Sequence, residues 1–243
     1  MAAQPQASQP PFRSPRYGAI RVGIGRLLHW HYRHLVERSR RGHAIEHIAG
    51  VPILVAPGVL NPRLMRTGEF FARQLRSGLL SAHAEVLDMG TGSGICAVFA
   101  ARAACRVVAV DINPQAVRCA RINVLMNQCE DRVQVLLGDL FGPLGARRFD
   151  LVLFNPPFLH GAPRDDADRA WCSTDVPERF AAGLRDHLTS WGSALVLLSS
   201  YGDPDLYLQP FRRCKFDMKV VAQRQFVNEQ LTLLRLTPQA GAP

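Results

Sequence analysis

The sequence has no apolar run approaching the roughly 20 residues that a membrane-crossing helix needs. Its longest apolar runs are strand-length, so no transmembrane helix is expected. The first residues, M-A-A-Q-P-Q-A-S-Q-P-P-F-R-S-P-R, hold no apolar stretch behind a charged start, and the expectation is a cytoplasmic chain with no secretory signal and no membrane partner. Cys96, Cys105, Cys119, Cys129, Cys172 and Cys214 form no C-x-x-C pair, which argues for reduced, mostly buried thiols rather than a disulfide framework or a zinc knuckle. Internal repeats are absent, and no linker rich in proline or glycine sets off the C-terminal segments. A chain of 243 residues therefore reads as one well-buried domain with an extension.

Lysine is also scarce, with only Lys215 and Lys219, so arginine carries most of the net charge of +9. That charge is uneven. Residues 1–50 contain eight arginines against Glu37 and Glu46, a net of +6. Residues 1–18, rich in proline, glutamine and alanine, are expected to form a flexible tail. Residues 19–50 are expected to form a short basic helical extension, because Leu27, Leu28, Trp30, His31, His34 and Leu35 recur near helical spacing. Such an arm suits a nucleic-acid backbone or an acidic protein face, and equally a solvated leader. Five histidines (His29, His31, His34, His43, His47) cluster here, but no carboxylate or cysteine stands beside them in a ligand pattern, so no metal site is assigned.

The segment V-P-I-L-V-A-P-G-V-L reads as short extended pieces broken by Pro52, Pro57 and Gly58. A helix is expected over 67–78. From Ala84 onward, E-V-L-D-M, R-V-V-A-V-D, R-V-Q-V-L-L and F-D-L-V-L-F alternate with helical stretches at about 94–104 and 114–128. A helix near 177–190, the strand S-A-L-V-L-L-S, a helix over 204–213 and a final pair, M-K-V-V-A-Q-R and L-T-L-L-R-L, complete the pattern. Continuous apolar strands separated by helices imply right-handed β-α-β units and a Rossmann-like parallel sheet covered on both faces.

Between the first such strand and its helix stands V-L-D-M-G-T-G-S-G, with Asp88, Gly90, Thr91, Gly92 and Gly94. Its G-x-G-x-G spacing differs from the G-x-G-x-x-G of dinucleotide sites. Asp111 ends the second strand, where an acid can accept hydrogen bonds from a ribose diol, and G-D-L-F places Asp139 and Leu140 at the same edge. Asp88 and Asp111 could alternatively cap the turns that follow them.

Taken in order, D-M-G-T-G-S-G, V-A-V-D-I-N, G-D-L-F and N-P-P-F resemble a class I S-adenosylmethionine-dependent methyltransferase over roughly residues 59–236. The resemblance implies a seven-stranded sheet whose last strand is antiparallel, within a domain spanning 51–243. It implies that the glycine loop holds the methionine part of S-adenosylmethionine, that Asp111 and Ile112 lie against the ribose, and that Asp139 and Leu140 face the adenine.

The strand F-D-L-V-L-F ends in Asn155, Pro156, Pro157 and Phe158. Proline contributes no N–H and keeps its predecessor extended, so the Asn155 side-chain oxygen and the Pro156 carbonyl can both accept from one NH₂ group. Two such acceptors would steer the nitrogen lone pair toward an electrophilic methyl, with Phe158 stacked on the planar group. These four residues are the candidate catalytic set, and Asn155 also borders the cofactor. The motif resembles the N-P-P-[F/Y] signature of enzymes methylating glutamine side chains, adenine N6 or guanine N2. Upstream, G-V-L-N-P-R-L-M-R-T-G-E-F-F resembles a stretch of the HemK/PrmC release-factor glutamine methyltransferases, which implies a cofactor contact for Thr67. Past the motif, F-L-H-G-A-P is similar to the ribosomal-RNA guanine N2 enzymes. The readings carried forward are methylation of a protein glutamine, as in a release factor; methylation of an exocyclic base amine in RNA or DNA, or of a small planar metabolite; and a non-catalytic cofactor-binding module. A macromolecular substrate is the favoured partner, with an activator subunit left open. Residues 161–175 are expected to be an irregular, acidic lid.

Overall fold

The computed structural model describes residues 42–240 apart from 76–78, 105 and 228. The expected flexible tail, most of the expected basic extension, and His29, His31 and His34 lie outside the described residues. Where the extension enters them it is not helical. β1 (Ala44–Ile48) and β2 (Val51–Val55) form an antiparallel hairpin, turned by Ala49 and Gly50, both with positive φ. The boundary expected between residues 50 and 51 cuts through this hairpin. Alternation explains the difference: Ile48, Val51, Ile53 and Val55 are buried while Ile45 and His47 are exposed, a period of two that suits a half-buried strand.

α1 (Thr67–Gln74) follows a connecting loop, and then comes the alternating core: β3 (Glu85–Met89), α2 (Ile95–Ala100), β4 (Arg106–Asp111), α3 (Pro114–Met126), β5 (Val133–Leu137) and β6 (Phe149–Phe154). A two-residue parallel pair, β7 (Leu159–His160) with β8 (Cys172–Ser173), precedes α4 (Val176–Leu184), β9 (Leu188–Ser199), α5 (Asp205–Arg213), β10 (Phe216–Gln225) and β11 (Gln230–Pro238). Most of the helices are shorter than their hydrophobic patterns suggest. α3 starts as its sequence requires, with Pro114 in the first turn and the Asn113 side chain accepting from the Gln115 N–H at 2.9 Å.

Seven strands form one sheet in the order β10-β11-β9-β6-β3-β4-β5. Neighbours from β9 to β5 are parallel, and β11 runs antiparallel to both β9 and β10. The sheet is thus the Rossmann-like, mostly parallel one with an antiparallel last strand. Two apolar layers cover it. Val86 faces one, with α1, α2 and α3, whereas its neighbour Leu87 faces the other, with Phe180 of α4 and Tyr207 and Phe211 of α5. The chain runs outward from β3 to β5 and then returns to β6 on the opposite side of β3. Such a reversal opens a crevice at the carboxyl ends of the strands. No helix among the described residues is long and apolar enough to cross a membrane. Cys96, Cys119 and Cys129 are buried, Cys172 and Cys214 half-buried, and all five are free.

Candidate active site

The crevice at the β3/β6 reversal is a cavity of about 230 Å³. Gly90, Thr91 and Gly92 form its floor after β3, Asp111 and Ile112 a wall after β4, Asp139 and Leu140 another after β5, and Asn155 and Pro157 an edge after β6. Thr67 and Gly68, from the start of α1, close the side.

The glycine loop is built for close approach. Gly92 has φ +56°, and a Cβ there would point into open space, so the missing side chain lets a ligand come close to the main chain of the loop. Gly94, at φ +80°, faces the other way, and a Cβ would stand 3.0 Å from Ala120 of α3. It does not line the cavity; it lets α2 pack on α3. Asp88 is likewise behind the loop rather than in the cavity. It is 4% exposed, and its Oδ2 accepts from the Thr91 hydroxyl at 2.5 Å and the Ala97 N–H at 3.0 Å. Burial pushes its carboxyl up to about 7, against the pull of those two donors.

Asp111 also braces the loop: Oδ2 accepts from the Gly92 N–H at 2.8 Å and Oδ1 from the Asn113 N–H at 2.9 Å. Burial raises its pKa despite these bonds. The helix cap on α3 belongs to Asn113. Asp111 stays on the cavity wall and keeps lone pairs for a diol.

At the edge, the Asn155 Nδ2 donates to the Thr67 Oγ1 at 3.3 Å. The Asn155 Oδ1 is buried and has no hydrogen-bond partner among the described residues. A buried amide oxygen left in this state costs on the order of 1–3 kcal/mol unless a ligand donor meets it. The Pro157 carbonyl is already taken by the Tyr207 hydroxyl at 2.9 Å, and no hydrogen bond among the described residues uses the carbonyl of Pro156.

Pro156 and Phe158 are placed differently from the expectation for the motif. Neither lines the cavity. The Phe158 ring is 7% exposed and packs edge-on against Trp171 at 5.7 Å and Tyr201 at 6.4 Å between centroids. It anchors the strand end instead of offering a stacking face, because the β7–β8 segment folds Trp171 back over it. Residues 161–175 are less irregular than expected: β7 pairs with β8, Asp168 receives a two-pronged guanidinium contact from Arg164, and Asp166, Arg169, Cys172 and Ser173 line the cavity mouth.

Several contributors had no sequence signal. Arg179 of α4 crosses the cavity and donates from Nη2 to the Asp139 Oδ2 at 2.5 Å. Asn123, fully buried in α3, accepts from the Leu54 N–H at 2.6 Å and donates to the carbonyls of Leu54 and Ser93 at 2.7 Å each. One amide thus ties the β1–β2 hairpin to the glycine loop. Asparagine in a helix carries no signature of such a role; only its 0% exposure in the fold reveals it. Among the described residues no group of three or more histidine, cysteine, aspartate or glutamate side chains could hold a metal.

The family model described as methyltransferase small domain matches residues 53–223. The chain belongs to this family. Its match to the release factor glutamine methyltransferase of Escherichia coli (strain K12) is 32% identical over 133 residues, 51% of this chain and 47% of that protein. The match to a tRNA1(Val) (adenine(37)-N6)-methyltransferase of Porphyromonas gingivalis is 38% identical over 164 residues, 63% of this chain and 60% of the other. The chain spans about half the length of the release-factor relatives it matches. Among solved structures, the M. jannaschii tRNA m1G37 methyltransferase shares the fold, with a TM-score of 0.59 at 22% identity, covering 82% of this chain and 57% of the other. The family match begins inside β2 and ends inside β10, so it spans every strand end that contributes to the cavity.

Proposed function

We propose that this chain is an S-adenosylmethionine-dependent N-methyltransferase that modifies a planar amide or amine nitrogen, and that its acceptor is a protein glutamine side chain of the release-factor type. The observation that carries the reading is the buried, unpartnered Oδ1 of Asn155, beside the family's glycine loop. An NH₂ group conjugated to a carbonyl or aromatic ring is a poor nucleophile, and what it needs is placement. Oδ1 of Asn155 accepts one of its hydrogens, and the lone pair is thereby directed toward the cavity floor. Thr67 holds the amide of Asn155 so that its oxygen, not its nitrogen, faces the acceptor.

The residues present fit the cofactor. The exposed main chain at Gly90 and Gly92 suits the methionine part, and the Asp111 carboxylate suits the ribose hydroxyls. Asp139 and Leu140 suit the adenine. When bound, the sulfonium supplies both the methyl group and a neutral thioether leaving group, so the protein supplies no strong base. The methyltransferase unit is residues 51–243 together with β1, in a cytoplasmic protein acting on a macromolecule.

A second reading, methylation of an exocyclic base amine, is favoured by the tRNA adenine N6 relative, whose match is the more identical of the two. Labelled methyl transfer into fractionated cell extract separates them. Label in a protein of release-factor size supports the glutamine acceptor, RNase-sensitive label supports the base, and no transfer to any fraction removes the catalytic reading.

A further inference from the structure

Two guanidinium groups sit on one phenylalanine ring next to the acceptor edge. Arg66 Cζ lies 4.7 Å from the Phe226 centroid and Arg224 Cζ lies 4.9 Å from the same point. Phe226 belongs to the turn between β10 and β11, where its N–H donates to the Glu229 carbonyl at 2.7 Å. Arg66 comes from a distant part of the chain, immediately before Thr67, and has φ +60°. That left-handed conformation is unfavourable for a residue with a Cβ. Backbone strain held at the border of a site is a reason to look for a function there.

The charges are what make the arrangement informative. Elsewhere near the cavity mouth arginine is matched by acid: Arg164 with Asp168, Arg169 with Asp166, Arg179 with Asp139. Arg66 and Arg224 are exposed, and neither has a carboxylate partner among the described residues. From Lys219 to Val227 the chain contains no acid; Glu229, in the same turn, is buried and accepts from the Ser199 hydroxyl at 2.5 Å, and Glu69 is held by Arg73 at 2.7 Å. Two cations gathered on one ring with no counter-ion repel each other, and their ring contacts offset only part of that cost. An anion reaching both would offset it.

We propose that Arg66 and Arg224, stacked on Phe226, form a phosphate-binding point for an RNA backbone passing beside the Thr67–Asn155 edge. Guanidinium groups match phosphate oxygens with paired hydrogen bonds. A polymer charged at every unit reaches both of them and the exposed Lys219 farther along β10, whereas one acidic side chain satisfies a single cation. The inference rests on the second reading, methylation of an exocyclic base amine, and its failure leaves the glutamine reading standing.

The test uses the full chain and a fluorescein-labelled single-stranded RNA of about 20 nucleotides, with anisotropy followed from roughly 50 to 200 mM salt. The Arg66→Gln/Arg224→Gln double variant should bind at least about 10-fold more weakly at the low-salt end, and its slope of log K against log salt should be shallower by roughly 0.7 for each phosphate no longer engaged. Retained binding of S-adenosylhomocysteine shows that the variant is folded. Arg224→Gln alone, on the exposed hairpin, should give a partial loss even if the Arg66 change disturbs α1. Wild-type affinity and slope in the variants, or no RNA binding by the wild type, overturns the proposal. So does loss of binding to an acidic polyglutamate peptide with RNA binding intact, which would make the partner a protein.

Discussion

Thr67 and Asn155 are 88 residues apart in the chain and meet at the cavity edge, the Asn155 Nδ2 donating to the Thr67 Oγ1 at 3.3 Å. The contact joins the first turn of α1 to the end of β6. The Asn155 Nδ2 is committed to Thr67, and its Oδ1 is buried with no hydrogen-bond partner among the described residues.

Replacing Asn155 with alanine removes one acceptor from the reacting nitrogen and nothing from the glycine loop. Turnover should fall by about 10² or more, the usual scale for one missing transition-state hydrogen-bond partner. Titration calorimetry with S-adenosylhomocysteine should give a binding constant within about twofold of the wild type. Equal loss of binding and turnover would make Asn155 a packing residue.

Thr67→Val keeps the shape of the side chain and deletes its hydroxyl. The Asn155 Nδ2 then has no hydroxyl to donate to, and the amide becomes free to turn its nitrogen toward the acceptor. The expected result is a drop in kcat of roughly 3- to 30-fold, smaller than for Asn155→Ala because the acceptor oxygen survives. Unchanged kcat would show that Thr67 does not hold the amide.

Asp111 supports both the loop and the proposed ribose contact. Asp111→Ala leaves the N–H groups of Gly92 and Asn113 without acceptors, at a cost of about 1–3 kcal/mol each where they stay buried. A lower melting temperature and S-adenosylhomocysteine binding weakened by at least about tenfold are expected together. Unchanged binding would detach Asp111 from the ribose.

Asp88 makes stability depend on pH in an unusual direction. Its carboxyl moves from an ordinary 3.8 to about 7 on folding, mainly through burial. Between those values the folded chain holds a proton that the unfolded chain has released, so this group's contribution to stability falls as pH rises through the window. Below 3.8 its contribution is level, and above about 7 the penalty is complete. Asp88→Asn abolishes the titration. Its melting temperature should therefore decline less between about pH 4 and pH 7 than the wild type's, and parallel declines would show that Asp88 is not the source.

Gly202 carries no motif, yet a Cβ there would stand 2.0 Å from the Phe158 carbonyl oxygen. Backbone on backbone cannot yield as a flexible side chain can. Gly202→Ala should shift the end of the N-P-P-F segment, lowering stability by about 2–4 kcal/mol and activity with it. A variant with wild-type melting and turnover would mean that the loop after β9 relaxes freely.

Much of the fold is legible in the sequence because buried parallel strands have no polar face to interrupt them. E-V-L-D-M, R-V-V-A-V-D and F-D-L-V-L-F lie where their patterns put them, as β3, β4 and β6. The β1–β2 hairpin is less legible: Pro52 reads as a break, yet on an edge pair the missing N–H of proline is tolerated. Phe158 is ambiguous in the sequence because an aromatic residue after two prolines suits a ligand or a core equally well. Trp171, thirteen positions on, decides for the core by closing over it.

The sequence by itself determined the sheet, the glycine turn and the asparagine at a strand end, since each follows from local rules of burial, backbone freedom and missing N–H groups. Only the tertiary structure decided which atoms face the cavity. Asp88 turns behind its loop while Asp111 faces forward, Arg179 reaches Asp139, and the Asn155 Nδ2 reaches Thr67. The last two outcomes depend on contacts between segments 40 and 88 residues apart, and no local pattern encodes a partner at that distance.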